Sequence, residues 1–172
     1  MVEKVLAKGV SPDAKDDMGR SALLLATREA GSLELVQLLA KHGAKTDEPD
    51  QTGRSAVSWA AADGRIEIVR WLAGKGAQLD RADIDRRAPL FYAAAGGHLD
   101  VARFLLDHGV AVNAVDRFGD TALMVACIRA QDAMAELLLS RGADPGIRNQ
   151  EGQVAADRAA PGAPHCKAKP AQ

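Results

Sequence analysis

Residues Gly53 to Ala60 read GRSAVSWA, and the same pattern returns as GRSALLLA from Gly19, RRAPLFYA from Arg86 and GDTALMVA from Gly119. The starts lie 34, 33 and 33 residues apart. At a fixed offset each is followed by a second apolar pattern: LELVQLLAKHGA from Leu33, IEIVRWLAGKGA from Ile66, LDVARFLLDHGV from Leu99 and AMAELLLSRGA from Ala133. Self-similarity at a fixed period of this size marks a repeat architecture. The first pattern predicts an Ala-rich helix of about two turns, and the second places apolar residues at i, i+3, i+4 and i+7 before a closing Gly. Each unit is thus expected to be two antiparallel helices.

One pair of short helices cannot bury both of its apolar stripes, so the units must stack into a one-dimensional solenoid. Ala26, Ala60, Ala93 and Ala126 allow close helix approach. Gly43, Gly76, Gly109 and Gly142 follow the second helices, where a left-handed cap is expected, and Gly19, Gly53, Gly119 and Gly152 suit a tight connecting turn. None belongs to a phosphate-binding loop, because no GxxxxGK[ST] follows a strand pattern. Ser21, Ser55 and Thr121 lead first helices and fit N-caps rather than nucleophiles.

Composition agrees with such a stack. Hydrophobic residues make up 47% of the 172, yet there are only three Phe, two Trp and one Tyr, so the core must be Ala, Leu and Val packed at short range. A net charge of -1 and a pI near 6.4 give no global pull toward phosphate backbones or anionic membranes. No apolar run approaches the roughly 20 residues of a membrane span. The expectations are therefore no nucleic acid, no membrane and a monomer. Cys127 and Cys166 are too few for a disulfide framework and lack metal-ligand spacing, so Cys127 is expected to be buried and inert. The expected compartment is cytoplasmic, with periplasmic or secreted as the alternative if a signal peptide has been removed. His98 opens a second helix, and His42 and His108 precede capping glycines, so all three are expected to satisfy helix-end groups. No catalytic constellation, cofactor site or metal site is expected.

The repeated motif resembles the ankyrin repeat, whose usual pattern is DxxGxTPLHxAAxxGHxxVVxxLLxxGA. The resemblance covers about residues 1–159 and implies an all-α solenoid of stacked antiparallel helix pairs with β-turn loops. It divides the chain into a half-repeat at 1–15, full repeats at 16–49, 50–82, 83–115 and 116–148, and a partial repeat at 149–160, together one domain over 1–160. The partial repeat is expected to stop at Pro161 and Gly162, followed by a disordered tail over 161–172. The half-repeat carries the second-helix pattern in Val2 to Gly9, and its missing first helix should leave Val2, Val5 and Leu6 partly uncovered.

Three departures from the family pattern stand out. The TPLH tetrad survives only as SALL, SAVS, APLF and TALM, so its usual Thr and His braces are largely absent and stability should be lowered. Arg86 replaces a turn glycine, so that loop is either strained or of another shape. One extra residue separates Ala26 from Gly31, which predicts a bulge at Arg28 to Ala30 where the helices of the first unit join.

In ankyrin proteins the partner usually meets the loop tips and the exposed side of the first helices. Carried over, the contact candidates are Asp17, Met18 and Arg20; Gln51, Thr52 and Arg54; Ile84, Asp85 and Arg87; and Arg117, Phe118 and Asp120. Arg20, Arg54 and Arg87 share one register position and should form a ladder that either meets an acidic partner segment or pairs with loop acids such as Asp17 and Asp85. Leu25, Trp59, Tyr92 and Val125 form a second column, which either packs between units or faces the groove, where Trp59 and Tyr92 would anchor a partner. The implied function is a protein-binding module acting without chemistry. Alternatives are a regulator or inhibitor of an enzyme, immunity-like or catalase-associated; a structural fragment of a larger ankyrin-containing protein; and a secreted effector.

Overall fold

The computed structural model describes residues 11–161 and 163–167; the half-repeat at Val2 to Gly9 and the expected exposure of Val2, Val5 and Leu6 lie outside them. The first full unit holds α1 (Ala22–Leu25), which runs on as a π turn over Ala26–Ala30, and α2 (Leu33–Lys41). The second holds α3 (Ala56–Ala62) and α4 (Ile66–Gly74), and the third α5 (Pro89–Gly96) and α6 (Leu99–Asp107). The fourth holds α7 (Ala122–Ile128) and α8 (Asp132–Ser140). All eight helices of the described residues fall where the repeat pattern predicts them. The extra residue near Arg28 is absorbed as the π turn, a one-residue widening of the helix rather than a new loop.

Local chemistry starts and stops each helix. The Ser21, Ser55 and Thr121 hydroxyls accept the N–H of Leu24, Ser58 and Met124 as N-caps. In the third unit Ala88 offers no such oxygen, and Pro89, with no N–H to satisfy, begins α5 instead. First helices stack on first helices through small residues: Ala60, Ala93 and Ala126 are fully buried, and Val57, Leu72, Leu105 and Leu138 fill the layer between them and the second helices. Each such Leu contributes roughly 1.5–3 kcal/mol through burial.

Histidines brace the stack in two ways. His108 Nδ1 lies 2.7 Å from the Phe104 carbonyl, capping its own helix. His98 Nε2 instead lies 2.9 Å from the Ala62 carbonyl in the last turn of α3, so it caps the neighbouring unit's helix and not α6. A Cβ on Gly64 would stand 2.4 Å from His98 Nδ1, and Gly64 has φ 68°, so both space and backbone require glycine there. Arg86 and Ala130 hold the same left-handed region with φ 62° and 55°. The Arg86 loop is therefore the strained form of the two expected for it.

The C-terminal end departs from expectation. Ala155–Arg158 form a 3-10 turn in the place of a first helix. The segment expected to be a disordered tail carries a second 3-10 turn, Pro164–Lys167, packed on α8 in the place of a second helix, with Ala163 and Cys166 buried. Cys127 is buried as expected but is not a free thiol: it is disulfide-bonded to Cys166, with Cα atoms 5.6 Å apart. His165 closes the join, with Nδ1 2.6 Å and its backbone N–H 2.9 Å from the two carboxylate oxygens of Asp132. That bond raises the His165 pKa above its ordinary value. The stack thus ends in an abbreviated fifth unit sealed covalently.

Candidate partner-binding surface

The turns that start each unit are built around one Asp, or Asn in the last. Asp16 Oδ1 accepts the N–H of Met18 and Arg20; Asp50 does the same for Thr52 and Arg54, and Asp83 for Asp85 and Arg87. Asp116 binds Phe118 and Asp120, and Asn149 binds Glu151 and Gln153. This column braces the turn that lacks the usual Thr and His. Successive tips are joined by backbone bonds from Gln51 to Met18, Ile84 to Thr52, Arg117 to Asp85 and Gln150 to Phe118, at 2.8 to 3.2 Å. The tips therefore form a continuous, registered edge.

The second carboxylate oxygen of each acid decides where the arginine ladder goes. Arg20 Nε donates to Asp16 Oδ2 at 2.8 Å, which holds that carboxyl below the usual range. Arg54 and Arg87 reach into the next unit, to Asp83 at 3.8 Å and to Asp116 at 3.0 Å. The ladder exists, but its charges are neutralised by half-buried Asp16 and by buried Asp83 and Asp116 rather than by Asp17 or Asp85. Burial opposes the charge on Arg87, yet the Asp116 bond prevails and raises its pKa.

Trp59 and Tyr92 divide between the two roles expected of them. Trp59 Nε1 donates to Asp50 Oδ2 at 3.0 Å, and the Tyr92 hydroxyl donates to Asp83 Oδ2. Burial and that carboxylate push the Tyr92 phenol well above its ordinary value. Their ring faces stay on the concave side: Arg28 and Arg54 stack over Trp59 at 4.4 and 4.7 Å, and Arg54 over Tyr92 at 4.3 Å. An alternating cation and aromatic stack runs from the π turn of the first unit to the third.

The remaining candidates separate by exposure. Met18 (54%), Ile84 (68%) and Phe118 (45%) are exposed at the tips. Asp17, Gln51 and Thr52 are exposed beside them, and Gln51 Nε2 donates to the Asp17 carbonyl. Arg117 pairs with Asp85 at 2.8 Å and lies over the Phe118 ring at 4.8 Å. Asp120, a candidate by register, is instead buried, its carboxylate taken by Asn149 and Arg158. Leu25 and Val125 are half-buried on the concave side. Two residues of this surface escaped the register argument: Ile128, 37% exposed, and Arg129, both at the end of α7. Their signal was available as an apolar and a basic residue at the only helix join that lacks glycine, Ala130.

No helix of the described residues is long and apolar enough to cross a membrane, and those residues contain no group of three His, Cys, Asp or Glu able to hold a metal.

Two curated proteins are similar over part of the chain. Ankyrin repeat domain-containing protein 63 from Homo sapiens and its namesake from Mus musculus are each 41% identical over 63 residues, 37% of this chain. The match spans 16% of either relative's length. A family model described as ankyrin repeats (3 copies) matches residues 1–83 and 78–149. With that match, the period, the paired helices and the braced turns, the chain belongs to the ankyrin repeat family.

Proposed function

We propose that this chain is a monomeric protein-binding module that holds an acidic segment of a partner against its loop tips and concave groove, without chemistry of its own. Ankyrin repeats generally mediate protein–protein interaction and are typically non-enzymatic. The observation that carries the reading here is the row of exposed apolar tips, Met18, Ile84 and Phe118, on an edge whose polar groups are otherwise satisfied internally. Apolar side chains at rigid turns contribute little to folding, and such exposure marks contact. The preference for an acidic segment rests on Arg28 and Arg129, the concave-side arginines that pair with no carboxylate among the described residues. Neither nucleic acid nor membrane suits so little surplus charge. The disulfide supports the oxidising alternative, periplasmic or secreted, over the cytoplasm, where thiols are kept reduced.

Affinity capture in lysate of the source organism tests the reading, with a Met18→Ala, Ile84→Ala, Phe118→Ala variant as control. Arg20, Arg54 and Arg87 are left in place because Arg20 braces its own turn and Arg54 and Arg87 tie neighbouring units. A protein retained by the natural chain and lost by the variant, with the melting temperature unchanged, is the expected result. Equal retention by both would remove the tips from the binding surface.

A further inference from the structure

Between the third unit and the abbreviated fifth one, the concave side opens into a hollow of about 330 Å³. Its lining combines the apolar Phe91, Val125 and Ile128 with Arg54, Arg87, Arg129 and Arg158 and one carboxylate, Asp120. Arg54 is matched by Asp83, Arg87 by Asp116 and Arg158 by Asp120. Arg129 pairs with no carboxylate among the described residues, is exposed, and stands at the C-terminal cap of α7. The surplus at this site is one guanidinium beside one exposed aliphatic side chain, Ile128.

Resting on the protein-binding reading above, we infer that this hollow is a specificity site for one dipeptide feature of an extended partner segment: an Asp or Glu side chain adjacent to a bulky aliphatic residue. The aliphatic group lies on Val125 and Ile128, and the carboxylate takes the planar fork of Arg129, a geometry suited to two parallel N–H bonds. Charge selects the occupant. A polyanion needs several free cations and meets only one here, whereas an apolar peptide without a carboxylate leaves Arg129 unmatched under cover. The half of the groove around Trp59 differs, because Arg54 is held between two rings and Asp83, and Arg28, though without a carboxylate among the described residues, lies over the Trp59 ring at 4.4 Å.

A random peptide library displayed on phage, selected against the full chain, tests the site. Enriched peptides are then synthesised acetylated and amidated, so that side chains carry the only carboxylates. Their affinities are measured for the natural chain and for Arg129→Gln, Ile128→Ser and Phe118→Ala. All three substitutions are at exposed positions, and a thermal melt confirms folding. The expected result is an enriched acidic residue next to a bulky aliphatic one, with binding weakened about tenfold by Arg129→Gln and also reduced by Ile128→Ser. Exchanging the peptide's Asp or Glu for Asn or Gln should cost the natural chain the same factor and Arg129→Gln nothing. Enriched peptides without that pair, or pairs insensitive to Arg129→Gln but lost with Phe118→Ala, would overturn this site and leave the tip surface standing. A selection that enriches nothing would overturn both.

Discussion

The middle of the stack and its C-terminal end solve one problem by different means. Between the second, third and fourth units, each face is covered by a full helix pair and tied by an arginine of one unit to a buried acid of the next, Arg54 to Asp83 and Arg87 to Asp116. At the end, among the described residues, two short 3-10 turns cover α7 and α8, and a disulfide from Cys127 to Cys166 joins Arg158–Asp120 and His165–Asp132 in the tying. Four-residue turns bury too little to dock by packing alone, so the join there is covalent. Repetition stabilises where neighbours are complete, and a cross-link substitutes where they are not.

The contrast breaks most visibly at the sulfurs. A Cys127→Ser, Cys166→Ser variant should lose about 3–4 kcal/mol at the C-terminal end, as expected for opening a loop between residues 39 apart. Hydrogen exchange should show new exposure in α8 and Ala155–Arg158 while α3 to α5 keep their protection; uniform loss along the stack would mean that the cap is not a separate unit. Removing the brace in the middle should cost less. Asp116→Ala deletes the acceptor of two backbone N–H groups and leaves Arg87 without its partner, an expected loss of about 3 kcal/mol, reduced because Arg87 is partly in water. Denaturant melts of Asp116→Ala and Asp116→Asn separate the terms, since the amide keeps the turn oxygen and gives up only the ion pair. The smallest change sharpens the comparison from the stabilising side. Arg86→Gly relieves a φ of 62° in the third unit and should gain about 1 kcal/mol, as should Ala130→Gly at φ 55° beside the cap. A gain at Arg86 alone would show that the Ala130 join relaxes within the looser end.

The period, the helix pairs, the N-caps at Ser21, Ser55 and Thr121 and the left-handed turn glycines were all legible in the sequence, because each depends on residues within a few positions of one another. The arginine column was legible as a column. Its destination was not, since spacing sets which side chains neighbour each other and not which of two acids a long rotamer reaches. The acids that open each unit could be read as boundaries, yet their part as turn braces depends on burial. The Cys127–Cys166 disulfide and the packed turn at Pro164–Lys167 escaped the sequence reading for a related reason. Pro161 does end the helical pattern, but a chain that leaves a helix can still return to the last exposed face, and Cys166 is the residue that holds it there. The concave-side pair Ile128 and Arg129 lay outside the tip register because it belongs to the helix end.

The bridges between units run in two opposed senses. Along the column of turn acids arginine comes from the earlier unit and carboxylate from the later one, whereas Arg81–Asp47, Arg117–Asp85, Arg141–Asp107 and Arg158–Asp120 run the other way. Cut after the third unit, the new terminal face carries Arg87 without Asp116, and Asp85 and Asp107 without Arg117 and Arg141. Cut before the third, the new first face presents Asp83, still occupied by two backbone N–H groups and the Tyr92 hydroxyl. Growth or grafting at such a junction asks the next unit for both an acid in register with Arg87 and arginines in register with Asp85 and Asp107.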